Sequence, residues 1–177
     1  MWALGIVIYE LLFGLPPFLS TRDQLAALVN AEAAVADARL LAGLDAEAPP
    51  VLRFVGLTRD GDVALKLYGG GPEMTLSRVL PILENFGLSV HTQRPYAVAR
   101  PGHDRQWIHE YEAEHPEAEC LAAGERADYV AEAFADIVAG RAENDGLNRL
   151  VIAAGLAPRQ VVLVRTITRY LLQTELP

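Results

Sequence analysis

Val51-Leu52-Arg53-Phe54-Val55-Gly56-Leu57-Thr58-Arg59-Asp60-Gly61-Asp62-Val63-Ala64-Leu65-Lys66-Leu67-Tyr68 decides the fold. Two runs rich in branched and apolar residues flank Arg59-Asp60-Gly61-Asp62, whose Asp-Gly step is a hairpin signal. The runs are therefore expected to pair antiparallel, with Gly69-Gly70-Gly71-Pro72 breaking the second one. Outward from the hairpin, Thr75 to Leu88 reads as a helix, with a hydroxyl residue at its start and Gly87 just past its end. Leu76, Val79, Leu80, Leu83 and Phe86 form one apolar stripe on it, and Pro81 is expected to tilt or kink it. Strand-like runs follow at Ser89 to Thr92, Tyr96 to Ala99 and Gln106 to Tyr111. Two strands, a packed helix and further strands give an α+β fold, an antiparallel sheet covered by helices on one face.

The remainder is helical. Arg126 to Ala139 carries an apolar stripe of Tyr129, Val130, Ala133, Phe134, Ile137 and Val138 and stops at Gly140. Gly146 to Ala154 reads as a second helix, and Pro158 opens a third. Short connections imply an antiparallel helical segment. Toward the N-terminus, Asp23 to Leu44 is Ala- and Leu-rich and helical, and Asp45 to Pro50 is a linker. The expected divisions are 1–19 as an apolar helix, 20–48 as helix and linker, 49–118 as the α+β module and 119–177 as the helical segment.

Composition excludes several classes. The chain has 177 residues, 51% hydrophobic, with a formal charge of −8. A chain this apolar offsets its ordering entropy, so it folds. Net negative charge opposes docking on nucleic acid or anionic lipid, so neither is an expected partner. One cysteine, Cys120, rules out an internal disulfide and fits a reducing, cytoplasmic setting. Trp2 to Leu19 is nearly all apolar, but Glu10 and Pro16-Pro17 oppose a membrane span, and no Lys or Arg precedes Arg22 to make a secretory signal. Of the 15 basic residues, Lys66 alone is a lysine.

Local motifs are weak. Gly69-Gly70-Gly71-Pro72 matches neither phosphate-binding glycine pattern, and Pro72 removes an amide, so it reads as a flexible connection. His109-Glu110-Tyr111-Glu112-Ala113 has Ala113 where a second zinc ligand belongs; these are read as solvated strand-end residues. Glu110, Glu112, Glu114, Glu117 and Glu119 are read as a solvated edge and loop, and Cys120 as an inert thiol. Glu143-Asn144-Asp145 is too short for a calcium loop and suits a helix N-terminus capped by Asn144 or Asp145.

Two resemblances remain. Met1 to Phe18, with Trp2, Gly5, Tyr9-Glu10-Leu11-Leu12, Gly14 and Pro16-Pro17-Phe18, resembles the buried helix of the protein-kinase C-lobe. No glycine-rich loop, His-Arg-Asp or Asp-Phe-Gly follows, so kinase chemistry is not implied. The segment is either an apolar helix by coincidence or a fused or misassembled remnant. The second resemblance spans roughly residues 31–173. Thr75 to Leu88, Arg94-Pro95-Tyr96, Trp107-Ile108-His109-Glu110-Tyr111, Glu143-Asn144-Asp145-Gly146-Leu147-Asn148-Arg149-Leu150, Ala154-Gly155-Leu156, Arg159 to Arg165 and Arg169 to Gln173 recur, in order, in the large bacterial NAD-specific glutamate dehydrogenases. Arg78, Gln93, Pro158 and Thr166 depart from that family's usual residues.

The resemblance implies an ACT-like, ferredoxin-like module followed by helices, lying ahead of a catalytic domain. It implies NAD-dependent oxidation of glutamate to 2-oxoglutarate and ammonia in the whole enzyme, with the rest of the polypeptide and a homo-oligomer as partners. No dinucleotide fingerprint and no lysine motif around Lys66 are present, so no catalytic, cofactor or metal residue is expected in this chain. NAD would be bound elsewhere. The expected role is regulatory or structural, with an amino-acid effector pocket around Leu76, Ser77, Asn85 and Gly87. Arg165 and Arg169, with Tyr170, are candidate interface residues, against solvated or snorkelling arginines. The rival is a stand-alone interaction or scaffold module without enzyme activity.

Overall fold

The computed structural model describes residues 33–98, 105–122 and 124–174. The apolar segment 1–19, with its kinase-like pattern, lies outside the described residues. The chain divides into two compact units, Met1–Leu44 and Asp45–Pro177. In the first, residues 33–42 are helical.

The second unit begins with the hairpin. Strand β1 (Val51–Leu57) pairs antiparallel with β2 (Val63–Gly70). The turn closes through Thr58 N donating to the Asp62 carbonyl at 2.8 Å, with Gly61 at φ +90°. That backbone angle suits glycine, which is the physical basis of the Asp-Gly hairpin signal. Helix α1 (Leu76–Asn85) follows, then β3 (Ser89–Val98) and β4 (Gln106–Glu114). The sheet order is β1-β2-β4-β3, antiparallel at every pair. Thus β2, α1 and β3 form a crossover that leaves room for β4 between the two strands. This is the split β-α-β unit of ferredoxin-like domains. The hairpin partner β1 supplies the fourth strand ahead of it rather than after it.

Three expectations change. Two short strands at Ser89 to Thr92 and Tyr96 to Ala99 are one strand, continuous through Pro95. Proline is tolerated there because β3 lies at the sheet edge and owes hydrogen bonds on one side only. Gly69 and Gly70 do not break β2 but end it. They are glycines because neighbours fill their space: a Cβ on Gly69 would lie 2.2 Å from the Trp107 ring, and one on Gly70 2.8 Å from the Asp45 carbonyl oxygen. The glycine run is therefore a place of close approach, not a flexible connection. In α1, Val79, Ile82, Leu83 and Phe86 are buried, whereas Leu76 is 39% exposed. The buried stripe keeps helical spacing but starts one turn later than expected.

Helix α1 runs through Pro81, which sits on its exposed side. It ends as Gly87 predicts. Leu88 N donates to the Leu83 carbonyl and Gly87 N to the Glu84 carbonyl, with Gly87 at φ +93°. Helices α2 (Ala118–Ala122) and α3 (Glu125–Val138) cover the same face of the sheet on the β1 side. A 3-10 turn (Gly146–Arg149), a short helix α4 (Leu150–Ala153) and a long helix α5 (Pro158–Gln173) complete the chain. One core joins sheet and helices: Leu65, Leu67, Phe86, Trp107, Tyr111, Phe134, Ile152 and Val161 belong to a single buried cluster.

Candidate functional site

The residues Glu143 to Arg149 are held in a polar joint between α1 and α5. Asp145 caps the 3-10 turn, its Oδ1 accepting from Leu147 N at 3.0 Å. Arg165, 6% exposed, reaches the same carboxylate from α5: Nε donates to Oδ2 at 2.6 Å and one terminal nitrogen to Oδ1 at 3.1 Å. That nitrogen also donates to Asn148 Oδ1 at 2.8 Å. The buried Asn148 donates in turn to the Glu143 carbonyl at 3.2 Å. Asn85, at the end of α1, donates to Asn144 Oδ1 at 3.1 Å. Arg169 grips the Glu143 carboxylate with both terminal nitrogens.

Electrostatics follow from this geometry. Hydrogen bonding to Arg165 holds the Asp145 carboxyl below its ordinary value, and the same bonds raise Arg165 further above its own. A bidentate pair with its arginine buried is stronger than a fully exposed bridge, although the Asp145 side chain remains 35% exposed. It is also unforgiving, since removing one partner strands the other charge. Next to the joint, between α3 and the start of α5, lies a cleft of about 270 Å³. Glu132, Asp136, Arg141, Asn148, Arg159 and Arg165 line its polar parts.

The sequence-derived candidates separate into two groups. Asn85, Arg165 and Arg169 enter the joint. Arg165 faces inward, not toward a partner. Leu76 and Ser77 lie at the opposite end of α1, about 13 Å away by helical rise. The Ser77 hydroxyl meets Thr75 Oγ1 at 3.1 Å, and Thr75, although at the N-cap position, makes no side-chain cap. Gly87 sits beside His115, whose Nε2 would lie 3.4 Å from an added Cβ.

Reading His109 as a solvated strand-end residue is overturned. It is 3% exposed, on the helix-covered face of the interior strand β4. Its ring centroid lies 4.6 Å from that of Trp107 with the planes tilted by 38°, and Nδ1 lies 3.2 Å from the Tyr111 hydroxyl. Burial lowers the His109 pKa below 6.5, with Glu73 opposing, and pushes the Tyr111 hydroxyl up to about 12. Neither His109 Nε2 nor Trp107 Nε1 has a hydrogen-bond partner among the described residues. The acidic run is corrected in part: β4 is not an edge, while Glu114 and Glu119 are exposed and Glu117 lies in the loop after β4. Glu110 pairs with Lys66 at 3.1 Å and accepts from the Tyr96 hydroxyl, Glu112 accepts from Arg94 at 2.8 Å, and Glu117 binds Arg126. The missed signal was the alternation Trp107, His109, Tyr111 at period two, set opposite Leu65 and Leu67.

The glycine run does not fit a dinucleotide. The Trp107 ring and the Asp45–Ala46 backbone occupy the space that a phosphate would need beside Gly69 and Gly70. Among the described residues no group of three His, Cys, Asp or Glu side chains could hold a metal ion. No described helix is long and apolar enough to cross a membrane.

Comparison with known proteins gives two family matches. The sequence model for the glutamate dehydrogenase ACT3 domain matches residues 55–126, and that for glutamate dehydrogenase helical motif 3 matches residues 142–177. The chain is 38% identical over 145 residues to the NAD-specific glutamate dehydrogenase of Pseudomonas aeruginosa, covering 81% of this chain and 9% of that protein. Identity to the Halomonas elongata enzyme of the same name is 39% over 146 residues, again 81% and 9%. The Mycobacterium tuberculosis enzyme of that name is 37% identical over 134 residues, 71% of this chain and 8% of its own length. The chain thus spans less than a tenth of the relatives that it matches.

Proposed function

The chain carries the ACT3 and helical-motif-3 region of the large NAD-specific glutamate dehydrogenases, and from that premise we propose that it is a non-catalytic regulatory and structural segment. In this reading the whole protein, a homo-oligomer in the cytoplasm, oxidises glutamate to 2-oxoglutarate and ammonia. NAD and the reacting groups belong to other parts of the polypeptide. The observation that carries the proposal is the joint Asn85–Asn144–Asn148–Arg165–Asp145, which ties the helix under the sheet to the long helix α5. A ligand or neighbour that shifts α1 would move α5 through these bonds, because packed polar networks have few alternative arrangements.

The test has two arms. The 177-residue chain alone, given glutamate and NAD, should form no NADH; turnover by the chain itself would sink the non-catalytic reading. In the full-length enzyme, Asn85→Ala should leave saturated turnover near wild type and alter the response to added arginine, aspartate or glutamate. Unchanged turnover together with an unchanged effector response would remove the regulatory role. Calorimetric titration of the chain with the same amino acids reports whether an effector binds here.

A further inference from the structure

Six of the nine large hydrophobic side chains exposed among the described residues lie on α5: Val162, Leu163, Ile167, Tyr170, Leu171 and Leu172. Leu163, Ile167, Tyr170 and Leu171 recur at i, i+4, i+7 and i+8, so they form one stripe on a single side of the helix. Their exposures run from 48% to 63%. The opposite side carries Val161 and Arg165, the two residues of α5 that are buried. Helix α5 is therefore fastened along one side and presents an apolar seam on the other, and residues 166–174 are all exposed. Concentrated apolar exposure of this kind marks an interaction surface rather than scattered surface chemistry.

The geometry points to a helix elsewhere in the same long polypeptide as the occupant of this seam. Two arguments select it over a second copy of the chain. First, α5 has 16 residues, hence about 24 Å of length and about 10 Å of width, far short of the roughly 800 Å² per partner that a stable complex buries. A seam this small holds a neighbour only when covalent connection raises the effective concentration to the millimolar range. Second, the relatives devote more than nine tenths of their length to sequence outside the match, so connected chain is available to cover it. The fastened side also holds α5 in place before docking, which lowers the ordering cost of burying the seam. This inference rests on reading the chain as a segment of a longer dehydrogenase.

Sedimentation and hydrogen exchange test it. The chain alone should sediment as a monomer, both as wild type and as the doubly substituted Leu163→Ser, Ile167→Ser form, with matching far-UV spectra to show that both are folded. A wild-type dimer that the double substitution abolishes would overturn the choice of occupant in favour of a second copy. Amides of residues 163–172 should exchange at least about tenfold more slowly in the full-length enzyme than in the chain alone. Equal rates in the two would overturn the docking. The regulatory reading fails separately: it is lost only if Asn85→Ala leaves effector response and turnover of the full-length enzyme unchanged.

Discussion

At the scale of single residues, Gly69 and His109 show how tertiary contacts dictate residue type. The Trp107 ring stands where a Gly69 side chain would go. Gly69→Ala should therefore cost about 1–3 kcal/mol, the range for overpacking a close-packed core, read from urea unfolding. A cost below about 0.5 kcal/mol would mean that the indole moves aside freely. His109 and His115 both have pKa values lowered by burial, and His115 Nδ1 accepts the Glu117 amide at 3.0 Å. Below the ordinary value of 6.5 the unfolded chain binds more protons at these sites than the folded one. Stability should fall as pH drops from 6.5 toward the folded-state values, and His109→Gln should flatten part of that slope. NMR titration of the imidazole resonances checks the direction; a His109 that titrates above 6.5 would refute it. The alternation Trp107, His109, Tyr111 marks one face of a strand, but that β4 is an inner strand, which buries His109, is not stated locally.

At the scale of elements, signals confined to one segment were readable and pairings across segments were not. The Asp60-Gly61 turn and the Gly87 helix stop follow from backbone angles that those residues adopt at little cost. The runs Ser89 to Thr92 and Tyr96 to Ala99 join into one strand because β3 is an edge that tolerates Pro95, and strand position is not stated locally in the sequence. The joint shows the same division. Asp145 as a cap was visible in Glu143-Asn144-Asp145, but its bonds to Arg165 and the bond from Asn85 to Asn144 join distant elements. Asp145→Ala removes a cap and the carboxylate that pairs with the buried Arg165, which keeps its bond to Asn148; because the Asp145 side chain is 35% exposed, a loss of about 1–3 kcal/mol is expected. Asp145→Asn keeps a capping oxygen and should cost less. Equal losses for the two would show that the charge carries the whole effect and the capping oxygen adds nothing. Because Arg165 lowers the Asp145 pKa, this contribution is present above the ordinary carboxylate range and disappears as pH falls through the folded-state value.

At the scale of the whole molecule, the sheet and the C-terminal helices share one core, with Trp107, Phe134, Ile152 and Val161 in the same buried cluster. Amides in β4 and α3 should therefore open with the same free energy in native-state hydrogen exchange; two distinct values would mean that the helical part unfolds on its own. The strand order carries a consequence for how the protein forms. β1 with β2, and β3 with β4, are each neighbours both in sequence and in the sheet, whereas β2 meets β4 only across α1 and β3. Local strand pairs assemble in microseconds, while long loops close late and at greater entropic expense. Folding then comes down to two independently born ribbons finding one another along a single line, from Val63 against Ala113 to Gly70 against Gln106, and the rate of that encounter sets the pace for the whole.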